Sequence, residues 1–290
     1  MKDLRQITVV GLGLLGGSVS LAIRRSFAHV QVVGFSHRET TRDKARELSV
    51  AGEIAGDLHA AVAGSDIVIL ATPVRTFEQQ FRDMAPALKD GAIVTDVGST
   101  KTLVHKWAAA RLPGTAHYVG SHPIAGSEQR GVEFSRDDLF DQATCIITKT
   151  PRTNDQAAGV VEQFWQRIGC LTQTMTPQRH DRIFAAVSHV PHLVAAALVN
   201  ATDPADLKQA GKGFIDTSRV ASGPANIWTD IVTTNTRNVV AGIDRVIESL
   251  NTIKKAVGND DDREIMALLE RARSRRAELI EYKLSRKELD

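Results

Sequence analysis

The chain has 290 residues, 42% of them hydrophobic, enough for one large domain or, better, two of ordinary size with well-developed cores. Its 36 Lys and Arg nearly balance 34 Asp and Glu, so no strong field points to a nucleic acid or a membrane surface as partner. The two cysteines, Cys145 and Cys170, are isolated and form no CxxC; a disulfide framework or structural zinc site is not expected, and a reducing cytoplasm is the default location.

Met1-Lys2-Asp3-Leu4-Arg5 precedes an apolar run, but Asp3 and the glycines at 11, 13, 16 and 17 break the apolar stretch that a signal peptide needs. From there short β-rich runs alternate with helical ones. Strands are expected over 7–10, 30–35, 67–71, 92–96, 117–120 and 143–148, with helices over 14–25, 41–50 and 154–168. This alternation predicts a doubly wound α/β sheet of Rossmann type. Beyond Thr176-Pro177 no strand is expected. The apolar segment 183–199 carries Ser188, His189, Pro191 and His192 and is short for a bilayer span of about 20 residues, so it is expected as a buried helix at a domain or subunit interface. Apolar residues three or four apart from Ile227 to Val257 predict one long amphipathic helix, with Pro224 near its start. A further helix over 263–283 places Ile265, Leu268, Leu269, Ala272 and Leu279 on one side and a charged, solvated face on the other. The expected organisation is a dinucleotide-binding domain over 1–175 and an all-helical domain over 176–290, with no internal repeat.

Gly11-Leu12-Gly13-Leu14-Leu15-Gly16 fits G-x-G-x-x-G, follows the first strand and opens a helix, which is the context this pattern requires. Gly11 permits the tight turn, Gly13 lets the backbone approach a pyrophosphate, and Gly16 allows close packing of helix on strand. Amides at the helix start then face the anion. An NAD site usually places an acid on the ribose hydroxyls about 20 residues further on. Here the second strand ends in Gly34-Phe35-Ser36-His37-Arg38, with Glu39 as a late acid. Ser36 offers a hydrogen bond and Arg38 a charge to a 2′-phosphate, so NADP is expected in preference to NAD. Thr72-Pro73 ends the third strand at the edge where such sheets bind ligands, and is expected on the ribose or adenine path.

Two more strand ends carry polar residues. Asp96-Val97-Gly98-Ser99-Thr100-Lys101 and Ser121-His122-Pro123-Ile124-Ala125-Gly126-Ser127-Glu128 are expected to open onto one crevice, with Val97 and Gly98 on the cofactor side. A histidine just beyond a strand end, facing a nicotinamide, suits a general base, which singles out His122. Ser99 either orients that ring or bonds the substrate hydroxyl.

The glycine loop, the Asp96-Val97-Gly98-Ser99 turn, the segment around His122, Ser188-His189-Val190-Pro191-His192 and Phe214-Ile215-Asp216-Thr217-Ser218-Arg219 together resemble the prephenate/arogenate dehydrogenases of tyrosine biosynthesis. The resemblance covers nearly the whole chain. It implies oxidative decarboxylation of prephenate to 4-hydroxyphenylpyruvate, or of arogenate to tyrosine, with NAD(P)+ as hydride acceptor. It also implies that His122 accepts the hydroxyl hydrogen bond with Ser99 in support, that Arg219 binds a substrate carboxylate, and that Ser188, His189 and His192, with Trp228 nearby, line the substrate pocket. A homodimer through the helical domain follows from the same likeness. A metal site built on His180, His189 and His192 is not expected, because Pro191 intervenes and no carboxylate is regularly placed beside them; a buried core role for one of them is the competing reading.

Two positions depart from the family pattern. Ser222-Gly223-Pro224 stands where many members have an acidic residue before the proline, and Ile215 precedes Asp216 where a basic residue is common. Ser36 and Arg38 resemble the NADP-using arogenate enzymes, while His192 resembles the prephenate enzymes. No chorismate mutase segment precedes Ile7, and the stretch after Val257 is too short for a regulatory domain, so a monofunctional enzyme is expected. Another two-domain reductase, such as a β-hydroxyacid dehydrogenase or an imine reductase, leaves His122 with Ser99 unexplained. A non-catalytic NADPH-sensing module has no use for His122, Ser99 and Arg219 together.

Overall fold

The computed structural model describes residues 4–125 and 129–285. Met1, Lys2 and Asp3, and Gly126, Ser127 and Glu128 at the end of the segment after His122, lie outside the described residues. The chain forms two compact units, residues 1–236 and 237–290.

The first unit opens with β1 (Gln6–Val10), α1 (Leu14–Ser26), β2 (Gln31–Phe35), α2 (Glu39–Glu47), β3 (Glu53–Ile54), α3 (Leu58–Val62), β4 (Ile67–Leu70), α4 (Phe77–Met84), β5 (Ile93–Asp96), α5 (Thr102–Arg111) and β6 (His117–Tyr118). These strands form a parallel sheet in the order β3-β2-β1-β4-β5-β6. The strands β1 and β4 are buried almost throughout, as apolar runs covered on both faces by helices must be. The order reverses between β1 and β4, and that switch point is where a doubly wound sheet opens a crevice at its carboxyl edge. Gly11 lies there with φ +102°, a conformation that favours glycine.

The expected strand over 117–120 divides. Only His117 and Tyr118 extend the parallel sheet; β7 (Gly120–Pro123) joins β8 (Thr144–Thr148) and β9 (Leu171–Met175) in a second, three-stranded sheet. There β7 runs antiparallel to β8, so the simple parallel alternation ends at residue 118. Side-chain bonds account for the turn toward the second sheet. Ser121 Oγ donates to the Asp96 carbonyl at 2.5 Å and lies 2.8 Å from Thr95 Oγ1, pinning β7 against the end of β5. The strand β9, with Leu171 and Thr174 exposed, has too weak an apolar signature to stand out in the sequence. Helix α6 (Asp155–Arg167), capped by Asn154, packs Trp165 and Phe164 into the core with Phe140.

From Pro177 onward all regular structure among the described residues is helical. A continuous 25-residue helical stretch comprises α7 (Pro177–Phe184), a π turn (Ala185–His189) and α8 (Val190–Ala201). Its length and mean hydropathy of 1.6 would suffice to cross a membrane, but His180 and Asp181 within it are bonded into the α/β part. The expected burial of 183–199 holds for one face only: Ala185, His189, Val190, His192 and Ala195 are buried, whereas Val187, Val194 and Leu198 are exposed. Helix α9 (Lys212–Ser218) and a 3-10 turn (Arg219–Ser222) follow, then α10 (Ala225–Thr234).

The single long helix expected over 227–257 is broken. Helix α10 ends at Thr234, Asn235 leaves helical geometry at φ −130° and ψ 29°, and α11 (Thr236–Gly258) starts afresh. The side-chain bonds of Asn235, described below, favour the break over helical continuity. Helix α11 and α12 (Asp262–Ser285) make up the second unit. Val240, Ile247, Leu250 and Val257 on α11 and Met266, Leu269 and Leu279 on α12 are exposed in the single chain.

Candidate active site

The nucleotide end is built mainly from backbone. A Cβ on Gly16 would overlap the Gly11 carbonyl oxygen, and one on Gly11 would crowd the Ala71 backbone, so α1 packs on the strand edge only with glycine at both positions. Gly13, at the N-cap of α1, faces open space where a Cβ would stand, and Leu12 and Leu14 on either side are buried while Leu15 is half-buried. This open cradle at a 13-residue helix start fits the pyrophosphate of a dinucleotide. Gly11 N donates to the Phe35 carbonyl at 2.7 Å, coupling the loop to the end of β2. Ser36 is buried there, His37 and Arg38 are exposed, and Arg38 is the N-cap of α2. Arg42, one turn on, donates from a guanidinium nitrogen to the carbonyls of Ser36 (2.7 Å) and His37 (3.1 Å) and so braces this loop with a second cation. Sequence reading passed over Arg42; its signal was the four-residue spacing from Arg38. Thr72 Oγ1 bonds Thr76 and Gln80 at the end of β4, and Pro73 is exposed.

The turn after β5 rests on a buried ion pair. Lys101 Nζ meets Asp96 Oδ1, with both side chains at 0% exposure, and also donates to the Ser121 carbonyl at 2.8 Å. Asp96 further accepts from Tyr118 Oη (2.6 Å) and Gly98 N (2.7 Å), which satisfies the carboxylate. Val97 and Gly98 are buried, and a Cβ on Gly98 would press on Asp96 and Phe77. The two polar strand ends are thus joined, with Ser99 half-buried at the apex of the turn.

His122 sits inside β7 rather than beyond a strand end. Its ring is held by His180 and not by Ser99: Nδ1 of His122 lies 2.9 Å from Nε2 of His180, and Nδ1 of His180 lies 2.9 Å from Oδ1 of Asp181. Asp181 also accepts from the Lys101 and Thr102 amides, each at 2.8 Å, and so caps the start of α5. Phe184 packs against both rings, at centroid distances of 4.9 and 4.5 Å.

These bonds fix the tautomers. An ionised Asp181 only accepts, so His180 carries its proton on Nδ1; its Nε2 then accepts, and His122 donates from Nδ1. The Nε2 of His122 is left unprotonated. Burial, with the neighbouring His180 and Lys101, holds the His122 pKa well below its ordinary value, so the ring is neutral at pH 7. Burial also lowers His180. Burial alone would raise Asp181, but hydrogen bonds from His180 and Thr102 bring it below the usual carboxylate value. Asp181 was missed in the sequence, and His180 was weighed only as a metal ligand or core histidine; an adjacent His-Asp pair ahead of an apolar run was the available signal.

His189 and His192 share the aromatic neighbour Trp228. His192 stacks on the indole at 3.6 Å and 10°, while His189 meets it edge-on at 6.4 Å. Nε2 of His189 and Nδ1 of His192 are buried without a hydrogen-bond partner among the described residues. A Cβ on Gly223 would collide with the Trp228 indole nitrogen and crowd His192, so glycine at this position leaves room for the stacked pair. Ser188 is half-buried in the π turn. Arg219 is exposed at the start of its 3-10 turn, and the main chain of the next residue, Val220, lies beside His192. No hydrogen bond ties Arg219 to the His122 group among the described residues.

Comparison with known proteins agrees with this arrangement. Residues 19–173 match the family model for the prephenate dehydrogenase nucleotide-binding domain, and residues 176–271 match that for the prephenate dehydrogenase dimerization domain. The chain is 31% identical over 268 residues to cyclohexadienyl dehydrogenase of Zymomonas mobilis, covering 90% of this chain and 91% of the relative. Among solved structures, prephenate dehydrogenase from A. aeolicus in complex with hydroxyphenyl propionate and NAD+ superimposes with a TM-score of 0.89 at 32% identity, over 96% of this chain and 99% of that one. Arogenate dehydrogenase of Synechocystis gives 0.81 at 29% identity, over 94% and 99%. The doubly wound sheet, the helical region and the family models that span them leave one conclusion: the chain belongs to the prephenate dehydrogenase family.

Proposed function

We propose that this site oxidises and decarboxylates prephenate to 4-hydroxyphenylpyruvate, or arogenate to tyrosine, with Nε2 of His122 as the general base. Family membership makes the chain an NAD(P)-dependent oxidoreductase of tyrosine biosynthesis. The observation that carries the base assignment is the Asp181–His180–His122 chain, which leaves one unprotonated nitrogen on His122. Bound NAD(P)+ supplies the hydride acceptor. His122 Nε2 takes the proton of the ring hydroxyl while the carbon bearing it gives up its hydride to the acceptor and becomes a carbonyl, and His180 with Asp181 stabilises the imidazolium. As the ring carboxylate leaves as CO2, its bonding pair aromatises the ring and ends on the hydroxyl oxygen, which recovers the proton from His122.

Ser99 bonds the substrate hydroxyl, since His180 already orients the His122 ring. Arg219 takes a substrate carboxylate with its planar fork, and Ser188, His189, His192 and Trp228 line the pocket. On the nucleotide side, Gly11, Leu12, Gly13, Leu14, Leu15 and Gly16 cradle the pyrophosphate, Thr72 and Pro73 flank the ribose path, and Val97 and Gly98 face the nicotinamide. NADP is preferred over NAD: Ser36, His37 and Arg38 offer a 2′-phosphate a donor and a positive charge, and Arg42 adds to it. The A. aeolicus relative was solved with NAD+. The nucleotide-binding domain covers 1–175 and the substrate and dimerisation domain 176–290. A second copy covers the apolar residues that α8, α11 and α12 leave exposed, giving a homodimer, and the enzyme works in the cytoplasm.

The test is a steady-state assay of the purified full chain with both substrates and both cofactors, following reduced nicotinamide by absorbance. Turnover of prephenate or arogenate, faster with NADP+, is expected. Turnover of neither substrate would refute the proposal.

A further inference from the structure

Asp181 anchors two chains of hydrogen bonds. Its carboxylate fixes His180 and, through it, His122. Its main-chain carbonyl accepts from Asn235 Nδ2 at 2.7 Å, and the same amide nitrogen lies 3.2 Å from Nδ1 of His189. A carbonyl oxygen only accepts, so the end of the Asn235 amide facing it is the NH2 group. The second N–H of that group then donates to His189, whose Nδ1 is the unprotonated ring nitrogen. The ring proton of His189 therefore sits on Nε2. Burial pushes the His189 pKa down to about 4, so the ring is neutral.

The Nε2–H group of His189 is buried, in a residue only 1% exposed, and bonds nothing among the described residues. The Ser99 main chain lies beside the ring and favours its protonated form, yet Nε2 has no hydrogen-bond partner among the described residues. A buried, unsatisfied donor costs free energy that the fold has no structural reason to bear. The position itself is special: His189 closes the π turn, where the extra residue re-aims the helix face, and Asn235 occupies the break between α10 and α11. The charge of His189 also bears on His122, which places the two rings in one neighbourhood.

We infer that Asn235 fixes His189 as a neutral Nε2–H donor to the substrate oxygen that His122 deprotonates, an inference that rests on the proposed reaction. That oxygen loses its proton to His122, becomes a carbonyl, and then receives the bonding pair of the departing carboxylate. A preorganised neutral donor stabilises this charge without competing for the substrate carboxylates. Asp181 thus sets both an acceptor through its side chain and a donor through its backbone. Asn235 acts through His189 and is a positioning residue.

Two measurements test this. In full-length protein labelled with 15N at histidine, long-range ring spectra at pH 7.5 are expected to show His189 protonated on Nε2 and bare on Nδ1. Asn235→Asp, whose carboxylate accepts from Nδ1, is expected to move a proton onto Nδ1. In the steady-state assay, His189→Leu is expected to lower kcat about 10²-fold or more, the scale for loss of one such donor, with the change in KM below about threefold. His189→Gln, which keeps an N–H near the Nε2 position, is expected to restore about tenfold of that loss. A wild-type ring protonated on Nδ1, or a loss in His189→Leu confined to KM, overturns the inference. The wild-type spectrum needs no substitution, so a variant that fails to fold leaves that test in force. If the wild type turns over neither substrate, the proposed reaction fails and the donor role fails with it, whatever the tautomer.

Discussion

The nucleotide end and the substrate end of this site are made in opposite ways. The pyrophosphate cradle of the nucleotide end uses backbone and lies within a short stretch of chain, Gly11 to Gly16, joined to Phe35 by one main-chain bond. The substrate end uses side chains from distant positions: His122 bonds a residue 58 places away, and Lys101 N reaches a carboxylate 80 places away. The first is a cradle that any sequence with the right glycines can form. The second exists only when several elements are docked, and it fixes proton positions as well as shape. Changes at the substrate end should therefore act on kcat and leave cofactor affinity alone, while changes at the nucleotide end should do the reverse.

The largest effect short of removing the base is expected from Asp181→Asn. An amide cannot accept from His180 on one side and Thr102 on the other, so it either reverses the His180 tautomer or faces an N–H with an NH2. Reversal at His180 propagates to His122 and protonates the nitrogen that should act as base. A fall in kcat of at least about 10²-fold is expected, by analogy with the wrong-tautomer effect in hydrolytic triads. An unchanged cofactor dissociation constant would sharpen the contrast between the two ends, and an unchanged kcat would break it. Next comes Lys101→Met, which strands Asp96 as a buried charge. Chemical denaturation should show a loss of about 3–5 kcal/mol; a loss within error would mean that the ion pair does not brace the turn carrying Ser99.

On the nucleotide side, Ser36→Asp with Arg38→Ala should shift the NADP/NAD ratio of kcat/KM toward NAD by about tenfold or more, the worth of one charge-assisted bond. An unaltered ratio would contradict the reading of the loop after β2. A last effect, spread over the whole fold rather than placed at either end of the site, concerns acid stability. Burial, with Lys101 second, pushes His105 down to about 3, and burial holds His189 at about 4, whereas the unfolded chain takes up these protons near 6.5. Unfolding therefore binds protons below pH 6.5, and stability falls as pH drops from 6.5 toward 4. Each histidine adds a slope of up to about 1.4 kcal/mol per pH unit. Tm should decline between pH 6.5 and 5; a flat Tm would show that these rings are charged in the folded protein.

The same contrast explains what the sequence disclosed. The Gly11 turn, β1, β4 and the end of β2 were legible because local spacing determines them, and His122 stood out because its segment is distinctive. The division at residue 118 was not legible, since it depends on Ser121 reaching the Asp96 carbonyl, a contact that exists only in the folded sheet. The break at Asn235 was hidden inside a helical apolar period, because the side-chain bonds that favour it come from Asp181 and His189. His180 and Asp181 offer only an adjacent His-Asp pair ahead of an apolar run; their roles are set by what they touch.

The central claim is that His122, at the end of the His180–Asp181 chain, is the base. It is tested most directly by the pH dependence of kcat/KM in the wild type beside kcat of His122→Asn at pH 7.5. A neutral buried ring predicts that wild-type activity is lost on acidification only below pH 6.5, as His122 takes up a proton. It also predicts that His122→Asn loses about 10²–10⁴-fold in kcat. Near-normal turnover by His122→Asn would contradict the account.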